Sequence, residues 1–170
     1  MFEAKSKIKV KLKPVSNFLI DRVIGGRPVI MPPTYEAKTV AGDTEVHAYT
    51  AEMPKNEAEQ EAWDTYVLTR TRAEQKFVMT FMRVLVMEGT LPEFKSKDYQ
   101  EWESLQKTIG LELPEEGLAR WFAYFTEKVI DSEEIPEFIA AVLAESGVSR
   151  EVVNQLKASF RNSPKPPPAE

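Results

Sequence analysis

Lys5-Ser6-Lys7-Ile8-Lys9-Val10-Lys11-Leu12-Lys13 alternates strictly between cations and small or apolar residues. A period of two is that of a β-strand. It predicts Lys5, Lys7, Lys9, Lys11 and Lys13 on one face and Ser6, Ile8, Val10 and Leu12 on the other. The apolar face calls for burial. The row of lysines has two readings. One is an outer strand guarded against edge-to-edge pairing, although one or two lysines ordinarily suffice for that. The other is a contact with an acidic surface.

The lysines lie at the basic end of a polarised chain. Residues 1–40 carry eight Lys and Arg against three Asp and Glu, whereas residues 41–170 carry fourteen against twenty-four. Residues 91–145 alone hold thirteen acids and five bases. That region in a neighbouring copy is an acidic surface the lysines could meet, so a homo-oligomer is expected. Nucleic acid is the weaker partner, because the chain is acidic overall and no aromatic interleaves with the lysines to stack on bases.

After the strand, Phe18, Leu19, Ile20, Val23 and Ile24 follow Ser16 and precede Gly25-Gly26, predicting a short helix with a serine cap and a glycine stop. Arg27-Pro28-Val29-Ile30-Met31-Pro32-Pro33 is expected to be extended, since each proline fixes its own φ and biases its predecessor out of the α region. Thr34–Val40 and Thr44–Tyr49 flank Ala41-Gly42-Asp43 and predict a hairpin. Residues 1–53 thus form a β-rich unit.

Residues 54–162 form a helical domain. Asn56 is placed to cap a helix whose first turns hold Glu57, Glu59 and Glu61, where acids favour the positive end of the dipole. Trp63, Tyr66, Val67, Arg70, Ala73, Phe77, Phe81, Val84 and Leu85 then recur at helical spacing up to Gly89, giving one helix of about 32 residues and roughly 48 Å. Its C-terminal half is apolar on nearly every face. With Phe77, Phe81, Val84 and Leu85 turned to the core, Val78, Met79, Met82 and Val86 remain on the flanks as candidate partner-binding residues. Four shorter helices follow. The first has a stripe of Tyr99, Trp102, Leu105 and Ile109. The second opens at Pro114 and turns Leu118, Trp121, Phe122, Phe125 and Val129 inward. The third opens at Pro136, and the fourth, capped by Ser149, carries Val152, Val153, Leu156 and Phe160. The segment 163–170 holds four prolines and reads as a flexible tail. The fold class is α+β, with a small β unit, a long helix and a mainly α bundle.

The sequence offers no catalytic constellation. His47, the only histidine, shares a strand face with Glu45 and Tyr49. With no nucleophile motif beside it, a surface histidine is the expectation rather than a general base. The chain has no cysteine, which excludes disulfides and thiolate metal sites. The acidic groups Glu57/Glu61, Asp98/Glu101, Glu115/Glu116 and Glu133/Glu134/Glu137 lack the spacing of a calcium loop, and helix dipoles account for most of them. Gly25-Gly26 lacks the Gly-Lys-Ser/Thr ending of a phosphate loop. No cofactor and no metal are expected. No apolar run approaches the roughly 20 residues needed to cross a bilayer, and the charged N-terminus argues against a secretory signal.

The segment Val15 to Glu36 (VSNFLIDRVIGGRPVIMPPTYE), followed by a hairpin and an acid-led Trp/Tyr helix, resembles small proteins of tailed-phage morphogenesis modules. Within that group the plan of the first 90 or so residues is most similar to tail assembly chaperones. The resemblance is one of layout, and the five-lysine strand is a departure from it. It implies a non-enzymatic assembly factor in the host cytoplasm that holds the tape-measure or tail-tube protein before the tail polymerises. The alternatives are a permanent virion component (a tail, neck or decoration subunit), a hydrolase using acidic residues and His47, and a nucleic-acid accessory factor.

Overall fold

A computed structural model describes residues 1–51 and 56–154. In chain order its elements are β1 (Phe2–Glu3), β2 (Lys9–Val10), α1 (Asn17–Gly25), β3 (Thr34–Lys38), β4 (Thr44–Ala48), α2 (Glu57–Gly89), α3 (Lys97–Thr108), α4 (Leu118–Tyr124) and α5 (Ile135–Glu145). A π-helical turn at Phe125–Val129 and a 3-10 turn at Ser132–Glu134 join α4 to α5. The protein is α+β: two small antiparallel hairpins, a long helix and several shorter ones. Contacts divide it into two units. The first joins Met1–Gly26 to the described residues from Val78 onward, and the second holds the described residues of Arg27–Phe77. Residues 1–26 therefore group with the later helices. The expected boundary at 53/54, the helix positions Leu156 and Phe160 and the tail at 163–170 lie outside the described residues.

The first unit holds the core. Phe81, Met82, Leu85 and Val86 of α2 form one buried cluster with Tyr99, Trp102, Trp121, Tyr124, Phe125 and Phe138, joined by Val10 and Ile20 from the N-terminal segment. At 3.6 residues per turn the buried positions 81, 82, 85 and 86 sweep about 140° of the helix circumference, wider than a single apolar stripe. At the end of α2 a Cβ on Gly89 would stand 2.5 Å from Val142 Cγ1 and 3.0 Å from Val15 Cγ2, so this close approach admits only glycine. Thr90 follows, fully buried. Its Oγ1 donates to the Val86 carbonyl at 2.6 Å and accepts from Trp121 Nε1 at 2.9 Å.

Two polar ties close the helical layer. Glu127 Oε2 accepts from Trp102 Nε1 at 2.8 Å and from Gln106 Nε2 at 3.0 Å. Arg120 Nη1 donates to Glu103 Oε1 at 2.6 Å, and this holds the Glu103 carboxyl below its usual range. Three details of the helical stripes differ from expectation. Leu105 and Ile109 are exposed, because Gln106 takes the buried position opposite Glu127. The second short helix starts at Leu118 and not at Pro114, after Gly117 turns the chain at φ 104°. Leu118 is also exposed.

The expected strand over residues 5–13 is broken. β1 and β2 pair Phe2 with Val10 and Glu3 with Lys9, and the chain turns between them. Lys7 sits at φ 64°, a left-handed conformation no strand accommodates. Buried partners fix the turn: Lys5 N donates to Glu134 Oε1 at 2.7 Å, and Ser6 Oγ to the Val129 carbonyl at 2.9 Å. Ser6 is the one usual turn residue here, and with no Gly, Pro, Asn or Asp beside it the alternating pattern reads as continuous strand.

The second unit is built differently. β3 and β4 pair in register from Thr34↔Ala48 to Lys38↔Thr44, with the turn at residues 39–43 and Gly42 at φ 90°. Asn56 caps α2 as expected, its Oδ1 accepting from Glu59 N at 2.9 Å. The Arg27 guanidinium lies 5.7 Å over the Phe77 ring. Among the described residues of this unit only Thr71 and Phe77 are buried.

Candidate functional site

The five lysines are not a free row of cations. Lys5 Nζ lies 3.2 Å from Glu133, Lys9 3.7 Å from Glu3 and Lys11 2.8 Å from Glu93. Glu133 and Glu93 hold the Lys5 and Lys11 ammonium groups above their usual values, in each case first by a hydrogen bond and then by charge. Only Lys7 and Lys13 have no ion-pair partner among the described residues. Nor is the strand an edge. Ala4 N donates to the Ile8 carbonyl on one side, while Lys13 N donates to the Gly89 carbonyl and Leu91 N to the Lys11 carbonyl on the other. Alternate residues of a strand present their backbone groups to opposite sides, so residues 8–13 are bonded along both. The edge-protection reading is corrected by this pairing.

Beside this segment lies a cavity of about 220 Å³, lined by Lys7, Ile8, Val10, Asp98, Trp121 and Tyr124 among others. The Tyr124 hydroxyl is buried with no hydrogen-bond partner among the described residues. Burial, then the charge of Asp98, pushes its pKa up to about 12.

The apolar candidates on α2 separate. Met82 and Val86 are wholly buried in the first unit's core and cannot meet a partner, which corrects their expected place on the flanks. Val78 is half-buried, and Met79 reaches solvent at 47% exposure. The helix is over-apolar here because this half packs inside its own unit on more than one face.

His47 Nε2 stands 3.3 Å from Glu45 Oε2, and its ring lies 5.6 Å from that of Tyr35 on the exposed hairpin. Among the described residues no cluster of three or more His, Asp and Glu is arranged to hold a metal ion, and no helix is long and apolar enough to cross a membrane.

The surface that composition did not announce is the second unit. Val29, Met31, Val40 and Val46 are largely exposed, and every residue of β4 faces solvent. On the N-terminal half of α2 a shallow groove is lined by Glu57, Gln60, Glu61, Asp64, Thr65 and Leu68, with Leu68 44% exposed. The alternation of β-branched residues in the hairpin was legible, but whether anything covers it is a tertiary fact. No protein-family model, no curated protein and no solved structure matches the chain.

Proposed function

We propose that this chain is a non-enzymatic, protein-binding assembly factor and that the second unit is its binding surface. One observation supports the reading. A unit whose described residues bury only Thr71 and Phe77, while Val29, Met31, Val40 and Val46 stand in water, has no core of its own. A two-stranded hairpin is marginal in isolation, and Val29, Met31, Val40 and Val46 offer apolar surface that a partner chain would cover. The unit gains its missing burial from another chain. In the setting that the layout resembles, that chain is the tape-measure or tail-tube protein, and the factor acts in the host cytoplasm before the tail polymerises.

The test places a photo-crosslinking amino acid at Val46 in the producing cell, with Ile109 of the first unit as the control position. An adduct with a tail protein, formed from Val46 but not from Ile109 and absent from finished particles, is the expected result. An adduct retained in finished particles would assign the chain to the particle instead. Equal yields from both positions, or no adduct at all, would refute the reading.

A further inference from the structure

On α2, Glu57, Glu61, Asp64, Leu68, Arg72 and Lys76 are all exposed. At 3.6 residues per turn they fall within about a third of the helix circumference. Along this stripe the charges are segregated. The acids occupy the first two turns and the bases the fifth and sixth, with Leu68 between them. Glu57 and Glu61 are like charges four residues apart, as are Arg72 and Lys76, and such pairs oppose helix formation. The helix dipole accounts for acids at the start but not for bases here, since α2 continues to Gly89 and these positions are mid-helix. Within the stripe Asp64 Oδ1 accepts from Gln60 Nε2 at 2.8 Å, and on the opposite face Arg70 Nε lies 3.2 Å from Glu74 Oε1, an opposite-charge pair four residues apart.

We infer that this stripe is a self-association surface on which the α2 segments of two copies pack antiparallel. An inference of this kind rests on the reading of the second unit as a binding unit and names one partner for it. Antiparallel packing about a two-fold axis between Thr65 and Leu68 sets Glu61 opposite the partner's Arg72 and Glu57 opposite the partner's Lys76. Two-fold symmetry makes each contact twice. Both like-charge blocks then face their opposites, and Leu68 is covered at the centre. The segment from 57 to 76 offers only about 30 Å of helix, so the dimer is a weak one.

Sedimentation velocity of the purified full chain, from low to high micromolar, provides the test, with circular dichroism as the check on folding. The parent is expected to pass reversibly from monomer to dimer. Because exposed charge pairs are weak individually but broken twice by symmetry, Glu61→Arg or Arg72→Glu alone should weaken dimerisation by about tenfold. The double variant Glu61→Arg/Arg72→Glu should restore it. Leu68→Glu should abolish it, and 1 M salt, where the Debye length falls to about 3 Å, should weaken the parent dimer. A parent that stays monomeric at every concentration, or a dimer indifferent to the single variants or not rescued by the double, overturns the inference. Val46 adducts with a tail protein would survive that outcome, so the two readings fail separately.

Discussion

Thr90→Val probes the link between the end of α2 and α4. Thr90 is fully buried, and its Oγ1 is the acceptor for Trp121 Nε1 at 2.9 Å. Valine preserves the shape, so no cavity forms, but the buried indole N–H loses its acceptor. Leaving such a donor unsatisfied costs about 1–3 kcal/mol. With a urea m-value of about 2 kcal/mol/M, the midpoint should fall by roughly 0.5–1.5 M. Urea melts followed by circular dichroism read this without depending on tryptophan emission. A double-mutant cycle isolates the cause. In a Trp121→Phe background the donor is already gone, and Thr90 retains only its bond to the Val86 carbonyl, so Thr90→Val should lose most of its effect. An equal penalty in both backgrounds would mean that valine acts by packing or by the helix end, and no penalty in either would refute the bond's role.

Tyr124→Phe removes a buried hydroxyl that has no partner among the described residues, so stability at neutral pH should stay level or rise. The phenol titrates near 10 when unfolded but at about 12 when folded. Below pH 10 the phenol is neutral in both states and adds no pH dependence; as pH rises from about 10 toward 12 only the unfolded chain ionises it freely, so the parent loses stability, and urea melts across that window should show the phenylalanine variant losing less. Arg120→Leu acts at the opposite end of the scale. The Glu103 carboxyl is held low first by its bond to Arg120, so its contribution is present above the unfolded value of about 4.3 and is lost as pH falls through the depressed one. The leucine variant should be less stable at pH 7 and show a flatter acid limb, and an unchanged limb would count against the pair. His47→Gln, at an exposed hairpin position, should leave thermal melting and Val46 crosslinking as in the parent, whereas loss of crosslinking in a folded variant would reopen a chemical role for the histidine.

Most of the secondary structure was legible because it is written locally. Asn56 and Gly89 bracket α2 closely, Ala41-Gly42-Asp43 marks the hairpin turn, and Ser96 caps α3 by accepting from Tyr99 N at 3.3 Å. Ser16 stands before α1 as expected but offers its carbonyl rather than its hydroxyl, accepting from Leu19 N and Ile20 N. The failures are tertiary. The turn at Lys5–Lys7 exists because Glu134, 129 residues away in sequence, accepts the Lys5 amide. Met82 and Val86 are core because the first unit wraps that half of α2 more fully than a single helix face predicts. The cavity beside Lys7 could not be inferred at all, since its walls come from three separate segments.

The candidate interface moved from the lysine strand to the second unit, and the reason is where each surface finds its answering groups. Five aligned cations look like a demand for an external partner, yet Glu133, Glu3 and Glu93 meet three of them within the chain, and the backbone on both sides is bonded. The charge asymmetry between the first forty residues and the rest is thus partly an instruction for folding. On the N-terminal half of α2 the sequence sets like beside like, and the hairpin preceding it turns valines to water. Where each local choice agrees with its surroundings, a segment is explained by its own fold. Where several neighbouring choices disagree, the segment is a candidate for function. By that criterion Lys5–Lys13 is explained within its own fold, and the hairpin with residues 57–76 is the part we propose meets a partner.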